Sequence, residues 1–271
     1  MDRKQKKREN VLKKELLAVE KQESKLLNAA INAKPIQWKA NLESMIPPKV
    51  YTGLESAFCK GFSVVFSQGR GLIEKTYAKT SLQEDFSIRD FAARVKGGKK
   101  ELKQLQKSAA KSDLVNLAVT TVEGIGLGAL GIGMPDIVLF LSTLLKGIYE
   151  TALNYGFDYC QSGEQMLILK MMEAALQTGQ KASEANAQVE MAMRCQEVTK
   201  EELDAQMQKT AAAFAMDMLL LKFVQGLPIV GIIGGAANPV YYRKILKYVQ
   251  LKYRKRYLTK LQQEQTAKCD S

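Results

Sequence analysis

Histidine is absent from the chain. Every mechanism that needs an imidazole as general base or metal ligand is therefore excluded, including Ser-His-Asp and Cys-His nucleophile systems and the HExxH zinc site. Cysteine is sparse. Cys59, Cys160, Cys195 and Cys269 lie at least 35 residues apart, so no C-x-x-C pair exists to start a zinc tetrahedron. Their density is also far below that of a secreted disulfide scaffold, and free thiols in a reducing cytosol are expected. No stretch of residues 49–112 alternates apolar and polar residues in the manner of a half-buried strand. Seven of the first fourteen residues are Lys or Arg, but no apolar h-region comes after them. A secretory signal peptide is not expected, and the chain is expected to stay inside the cell.

The residues that are present read as helical. The 271 residues are 46% apolar and 25% charged, enough for a packed globular protein of one or two domains. The net charge is +12. In residues 1–34, Leu12, Leu16, Val19, Glu23, Leu26 and Ala30 recur with 4-3-4-3-4 spacing, a seam spoiled once by Glu23. It reads as an amphipathic helix packing on its own domain, with a coiled-coil arm as the alternative. Pro35 and Pro47-Pro48 separate this helix from the next segment of the chain. Residues 49–112 read as helices with charged outer faces. Within them Ser87-Ile-Arg-Asp90 has the form of a capping box, Gly97-Gly98 is a break, and Lys99–Lys111 is a basic helix. Residues 164–224 read as two helices, the second opening at a capping box, Thr199-Lys-Glu-Glu202. The methionines between Met166 and Met218 read as core filler.

Two apolar blocks stand out. Residues 114–145 carry only Glu123 and Asp136 as charges, and residues 211–242 only Asp217 and Lys222. Pro135 and Asp136 suit the first turn of a helix running to Tyr155-Gly156. A buried hairpin at the heart of a helical domain, a helix pair dipping into the bilayer and a true span all compete. Asp136 weakens a span, because an acid at bilayer depth costs about 2.5–3.5 kcal/mol. Pro228 and Pro239 weaken it further, because unsatisfied backbone groups in lipid are costly. Gly126-Leu-Gly128-Ala-Leu-Gly131, with Glu150 downstream, matches a dinucleotide fingerprint. That loop works only between a strand and a helix start, and here no β-α alternation surrounds it.

The final stretch, residues 243–260, is a basic helix. Arg243, Lys244, Lys247, Lys252, Arg254, Lys255, Arg256 and Lys260 are interleaved with tyrosines and come directly after the second apolar block. Such clusters are drawn to anionic lipid by about 1 kcal/mol per charge, and tyrosine suits the interface. A solvated basic face is the plain alternative. Nucleic acid attracts the same charges and is the weaker reading, since no RNA- or DNA-binding motif is present.

Met134-Pro135-Asp136-Ile137, Tyr155-Gly156-Phe157-Asp158, Gly226-Leu227-Pro228-Ile229-Val230-Gly231 with Gly235 and Asn238, and Tyr253-Arg254-Lys255-Arg256-Tyr257 resemble, in order and spacing, the EcsC family of bacterial proteins over about residues 114–258. The resemblance implies a mostly cytoplasmic or membrane-associated protein, after a member encoded beside the ATPase and membrane subunits of an ABC transporter. It implies no catalytic residue set.

An all-α fold is expected: a single helical domain with a glycine-rich apolar helical core and an N-terminal helical extension. The expected divisions are a charged extension at 1–48, an EcsC-like helical domain at 49–262 and a flexible tail at 263–271. The expected function is a membrane-surface accessory or regulatory protein linked to an ABC-type exporter, peripheral at the inner face of the cell membrane. The eight basic residues of 243–260 would bind anionic lipid, and ABC transporter subunits would be partners. The sequence leans against an enzyme and calls for no cofactor or metal. The alternative is an enzyme or small-ligand binder built on a polar site of Asp136, Tyr155, Asp158, Asp217 and Asn238, which if buried each need a partner.

Overall fold

The computed structural model describes residues 3–33, 46–66, 70–75, 77–116, 134–194, 197–224 and 237–267. Every described element is a helix: α1 (Arg3–Ile31), α2 (Pro48–Val64), α3 (Arg70–Glu74), α4 (Lys79–Lys96), α5 (Lys99–Asn116), α6 (Met134–Asn154), α7 (Ser162–Leu176), α8 (Gln180–Ala192), α9 (Lys200–Val224) and α10 (Ala237–Ala267). The fold is all-α, as the patterning predicts.

The sequence of α6 explains why it is the axis of the bundle. Its side chains are apolar nearly all round, and such a helix must be covered on every side. The covering comes from α2, α3, α4, α5 and α10. Leu141, Leu144, Leu145 and Ile148 are fully buried, each stabilising the fold by about 1.5–3 kcal/mol. α6 is also long and apolar enough to cross a bilayer, yet 83% of that window is buried inside the protein. Its apolar surface is already used in the core. At Gly147 a Cβ would stand 2.7 Å from the Tyr242 hydroxyl and 2.9 Å from Leu246, so α10 crosses α6 at backbone distance. Phe214 of α9 meets the rings of Phe58 at 5.3 Å, Phe62 at 5.9 Å and Phe140 at 5.9 Å. One aromatic cluster thereby joins α2, α6 and α9.

Local signals place most helix ends. Pro48 opens α2 at a position where its missing N–H costs nothing. Thr199 and Glu202 form the reciprocal capping box at α9: Glu202 N donates to Thr199 Oγ1 at 3.2 Å, and Thr199 N to the Glu202 carboxylate at 2.9 Å. α6 ends in a Schellman turn, with Phe157 N donating to Ala152 O at 2.9 Å and Gly156 N to Leu153 O at 3.0 Å. Gly156 has φ +75, and a Cβ there would lie 2.3 Å from the Phe86 ring. Gly156→Ala is expected to cost about 1–3 kcal/mol for the left-handed backbone, with displacement of Phe86 added. A thermal melt should show the midpoint falling by roughly 2–4 °C per kcal/mol; an unchanged midpoint would refute this account of the turn.

Three expectations need correction. Ser87 and Asp90 lie inside α4, not at its start; Ser87 Oγ donates to Gln83 O at 2.9 Å, while Asp90 Oδ1 accepts from the Tyr257 hydroxyl at 2.7 Å. Residues 164–224 hold three helices, not two, because Gly179 adopts φ +64 and turns the chain between α7 and α8. The C-terminal helix is longer than 243–260. It runs into the stretch expected to be a tail, where Glu264 is ion-paired to Arg94 of α4.

The N-terminal helix is not detached from the body. α1 packs along α10 and against α8, burying Leu12 and Val19. The interruption in its seam has a purpose: Glu23 is buried there as the ion-pair partner of Lys252. The glycine-rich loop at 124–133, Gly226–Gly235, Cys195 and Cys269 lie outside the described residues.

Candidate functional site

The structure divides the eight basic residues of α10 into two sets. Four are drawn inward by acids on other helices. Lys252, fully buried, pairs with Glu23 of α1 and with Glu190 of α8 at 2.6 Å. Lys255 reaches the same two carboxylates at 2.7 Å and 3.0 Å. Burial works against its charge, but Glu23 and Glu190 outweigh that and hold its ammonium above the ordinary lysine range. Arg254 Nη2 donates to Glu15 of α1 at 2.7 Å. Arg256 donates to both oxygens of Glu164 of α7 at 2.9 Å and 2.7 Å, and stacks over Phe157 at 4.0 Å. The Tyr253 hydroxyl donates to the same carboxylate at 2.7 Å.

These four side chains therefore do not present a free cationic face. They join α10 to α1, α7 and α8. Pairs of this kind do little for net stability, but they fix which helix faces meet. The interleaved tyrosines are also internal: Tyr241, Tyr242, Tyr248, Tyr253 and Tyr257 are all buried.

The other four, Arg243, Lys244, Lys247 and Lys260, are exposed and form no ion pair among the described residues. At 100° per residue, positions 243, 244 and 247 share one arc of the helix, and position 260 lies off it. Lys247 faces a groove of about 470 Å³ between α1, α5 and α10. Lys25 of α1 stands on its opposite wall, Leu26, Ala109 and Leu251 supply apolar lining, and Arg254 and Tyr155 complete it. Lys99, Lys100, Lys103 and Lys107 of α5 line a second, more open groove of about 420 Å³. No acid lines either groove among the described residues.

Tyr155 belongs to the polar residues singled out by sequence, and the structure places it with the basic ones. It comes directly after α6, is buried, and its ring lies 5.9 Å from that of Tyr257. Burial pushes its hydroxyl above the ordinary tyrosine range, against the opposing pull of Arg254. The other members of that set do not gather around it. Asp158 is exposed, and its Oδ1 accepts the Cys160 backbone N–H at 3.0 Å. Asp217 of α9 is half-buried and accepts from the Tyr241 hydroxyl. The side chains of Asp136 and Asn238 lie outside the described residues. Position 136 is in the first turn of α6 and position 158 lies beyond its other end, a helix about 30 Å long.

A second polar cluster escaped sequence reasoning because its members come from three separate segments. Tyr77 donates to Tyr159 at 2.6 Å, and Tyr159 to Glu74 at 2.7 Å. Lys79 Nζ lies 3.1 Å from the same carboxylate oxygen and 3.6 Å from Cys160 Sγ. Burial first, and then the hydrogen bonds with Tyr77 and Glu74, push Tyr159 far above its ordinary range. The chain of partners is complete, and it ties α3 to the turn between α6 and α7. Among the described residues, no group of three or more Cys, Asp or Glu side chains could hold a metal ion.

Sequence reading missed the contribution of Lys25 to the basic surface. The available signal was in α1, where Glu23 interrupts an otherwise apolar seam and so calls for a cationic partner in the core. A family model described as the EcsC protein family matches residues 10–258. The match begins well N-terminal of the motifs that carry the resemblance and includes Glu15, Glu23 and Lys25. No curated protein matches the chain, and no solved structure matches it.

Proposed function

The chain belongs to the EcsC protein family, and from that premise we propose that it is a non-enzymatic accessory protein which docks peripherally on anionic membrane lipid at the inner face of the cell membrane. A link to an ABC-type exporter rests on the family resemblance. The observation that carries the docking is the cationic surface left after the internal pairs are formed. Arg243, Lys244 and Lys247 of α10, Lys25 of α1 and the exposed lysines of α5 are solvent-facing and form no ion pair among the described residues. Each such charge near an anionic surface adds about 1 kcal/mol of attraction. Peripheral attachment agrees with α6, the helix apolar enough to span among the described residues, being committed to the core.

Vesicle flotation tests this reading. The protein is expected to float with phosphatidylglycerol-containing vesicles and not with pure phosphatidylcholine, and to be released by high salt because exposed charges are screened. Arg243→Gln together with Lys247→Gln should weaken the association about fivefold per charge. Lys252→Gln belongs to the other set and should act on stability. Equal binding to neutral and anionic vesicles, or full binding by the double variant, would overturn the proposal.

A further inference from the structure

We propose that the groove between α1, α5 and α10 is a binding site for one anionic amphiphile, taking a phosphate-bearing lipid headgroup and the first part of its acyl chain. The inference deepens the docking reading and rests on it. Docking in general needs only a field of positive charge; this groove has the features of a built site.

The first feature is size. About 470 Å³ falls within the range of small-molecule pockets, roughly 300–1,000 Å³. The second is Tyr155. It is only 3% exposed and lines the groove, where a phenolic hydroxyl can donate to a guest acceptor. Burial also keeps this hydroxyl protonated, so it is a donor at every physiological pH.

The third feature is charge placement. Lys25 and Lys247 face the groove from two different helices, and neither is ion-paired among the described residues. Arg254 commits Nη2 to Glu15; a guanidinium has five N–H donors, so others remain for a guest. With no acid in the lining among the described residues, a cationic guest is disfavoured. The fourth feature is the apolar share of the wall: Leu26, Leu251 and Ala109 offer hydrocarbon contact that a bare phosphate cannot use. Donors at one part and methyl groups at another describe an amphiphile.

The test uses the full chain and soluble lipid, with no membrane present. Isothermal titration would compare dihexanoyl phosphatidylglycerol below its micellar concentration, dihexanoyl phosphatidylcholine and inorganic phosphate. The anionic lipid is expected to bind at least about tenfold more tightly than either of the others. Tyr155→Phe should weaken it about fivefold, and Lys25→Gln with Lys247→Gln, both at exposed positions where folding is not at stake, by tenfold or more. Equal binding of inorganic phosphate would reduce the groove to an anion site and overturn the proposal. So would absence of lipid binding, or binding indifferent to the Lys25 and Lys247 substitutions. The two readings fail separately: flotation with anionic vesicles but no titration signal removes the groove and leaves docking, while titration without flotation does the reverse.

Discussion

Replacing Lys252 with methionine is expected to destabilise the protein by about 3–5 kcal/mol, the usual cost of breaking a buried ion pair and leaving its partner uncompensated. Lys252 is fully buried between Glu23 and Glu190. Lys255 touches both acids but is partly exposed, so it softens the loss without cancelling it. Methionine keeps the length and apolar stem of lysine, and the cavity contribution is small. Adding Glu23→Gln to Lys252→Met, which leaves Glu190 paired with Lys255, should recover much of the stability, because the deficit comes from stranded charge and not from lost volume. Urea denaturation of the three proteins measures this; a loss below about 1 kcal/mol for the single variant would disprove it.

The same network has an acid signature. Burial pushes the Glu190 carboxyl up, but hydrogen bonds and charge from Lys252 and then Lys255 outweigh it and lower it from 4.5 to about 2. A carboxyl with a lower pKa folded than unfolded contributes stability that is present above about 4.5 and lost as pH falls toward about 2. Wild-type stability should therefore fall through that window, and Lys252→Met should flatten the fall. An unchanged acid profile in the variant would assign the effect to other carboxylates.

Phe214→Ala is expected to have a comparable effect, about 3–5 kcal/mol, by a different cause. The ring is fully buried and stands against Phe58, Phe62 and Phe140. Truncation leaves a cavity where three helices meet, and the surrounding aromatic rings relax into it only in part. Phe214→Leu keeps most of the volume and should lose less than half as much. The urea midpoint should move while its slope stays constant. A Leu variant as unstable as the Ala variant would argue that ring stacking, and not volume, dominates at this position.

The two variants illustrate which parts of the protein are visible along the chain. Phe214 sits in an apolar stretch of a helix with a clear start, and its burial could be expected from periodicity alone. The start at Thr199 and Glu202 and the glycine end at Gly156 are signalled within a few residues, because capping bonds reach only three to five positions. Where such a signal misleads, tertiary contacts override it. Ser87 and Asp90 have the form of a cap, but Asp90 is needed by Tyr257, and the helix runs through both.

Lys252 was not legible in that way. Its charge marked α10 as a basic surface helix, and nothing nearby in sequence contradicted that reading; its partner Glu23 looked like a flaw in a distant apolar seam. Composition and periodicity determined that the chain is helical, basic, free of imidazole chemistry and built around an apolar helix. Tertiary structure alone decided which cations are spent inside and which remain for a partner, and it alone brought Tyr155 to Lys25 and Lys247. Helix periodicity is set by neighbours within a turn or two, whereas a charge's environment is set by whatever the fold packs against it, here residues more than two hundred positions away.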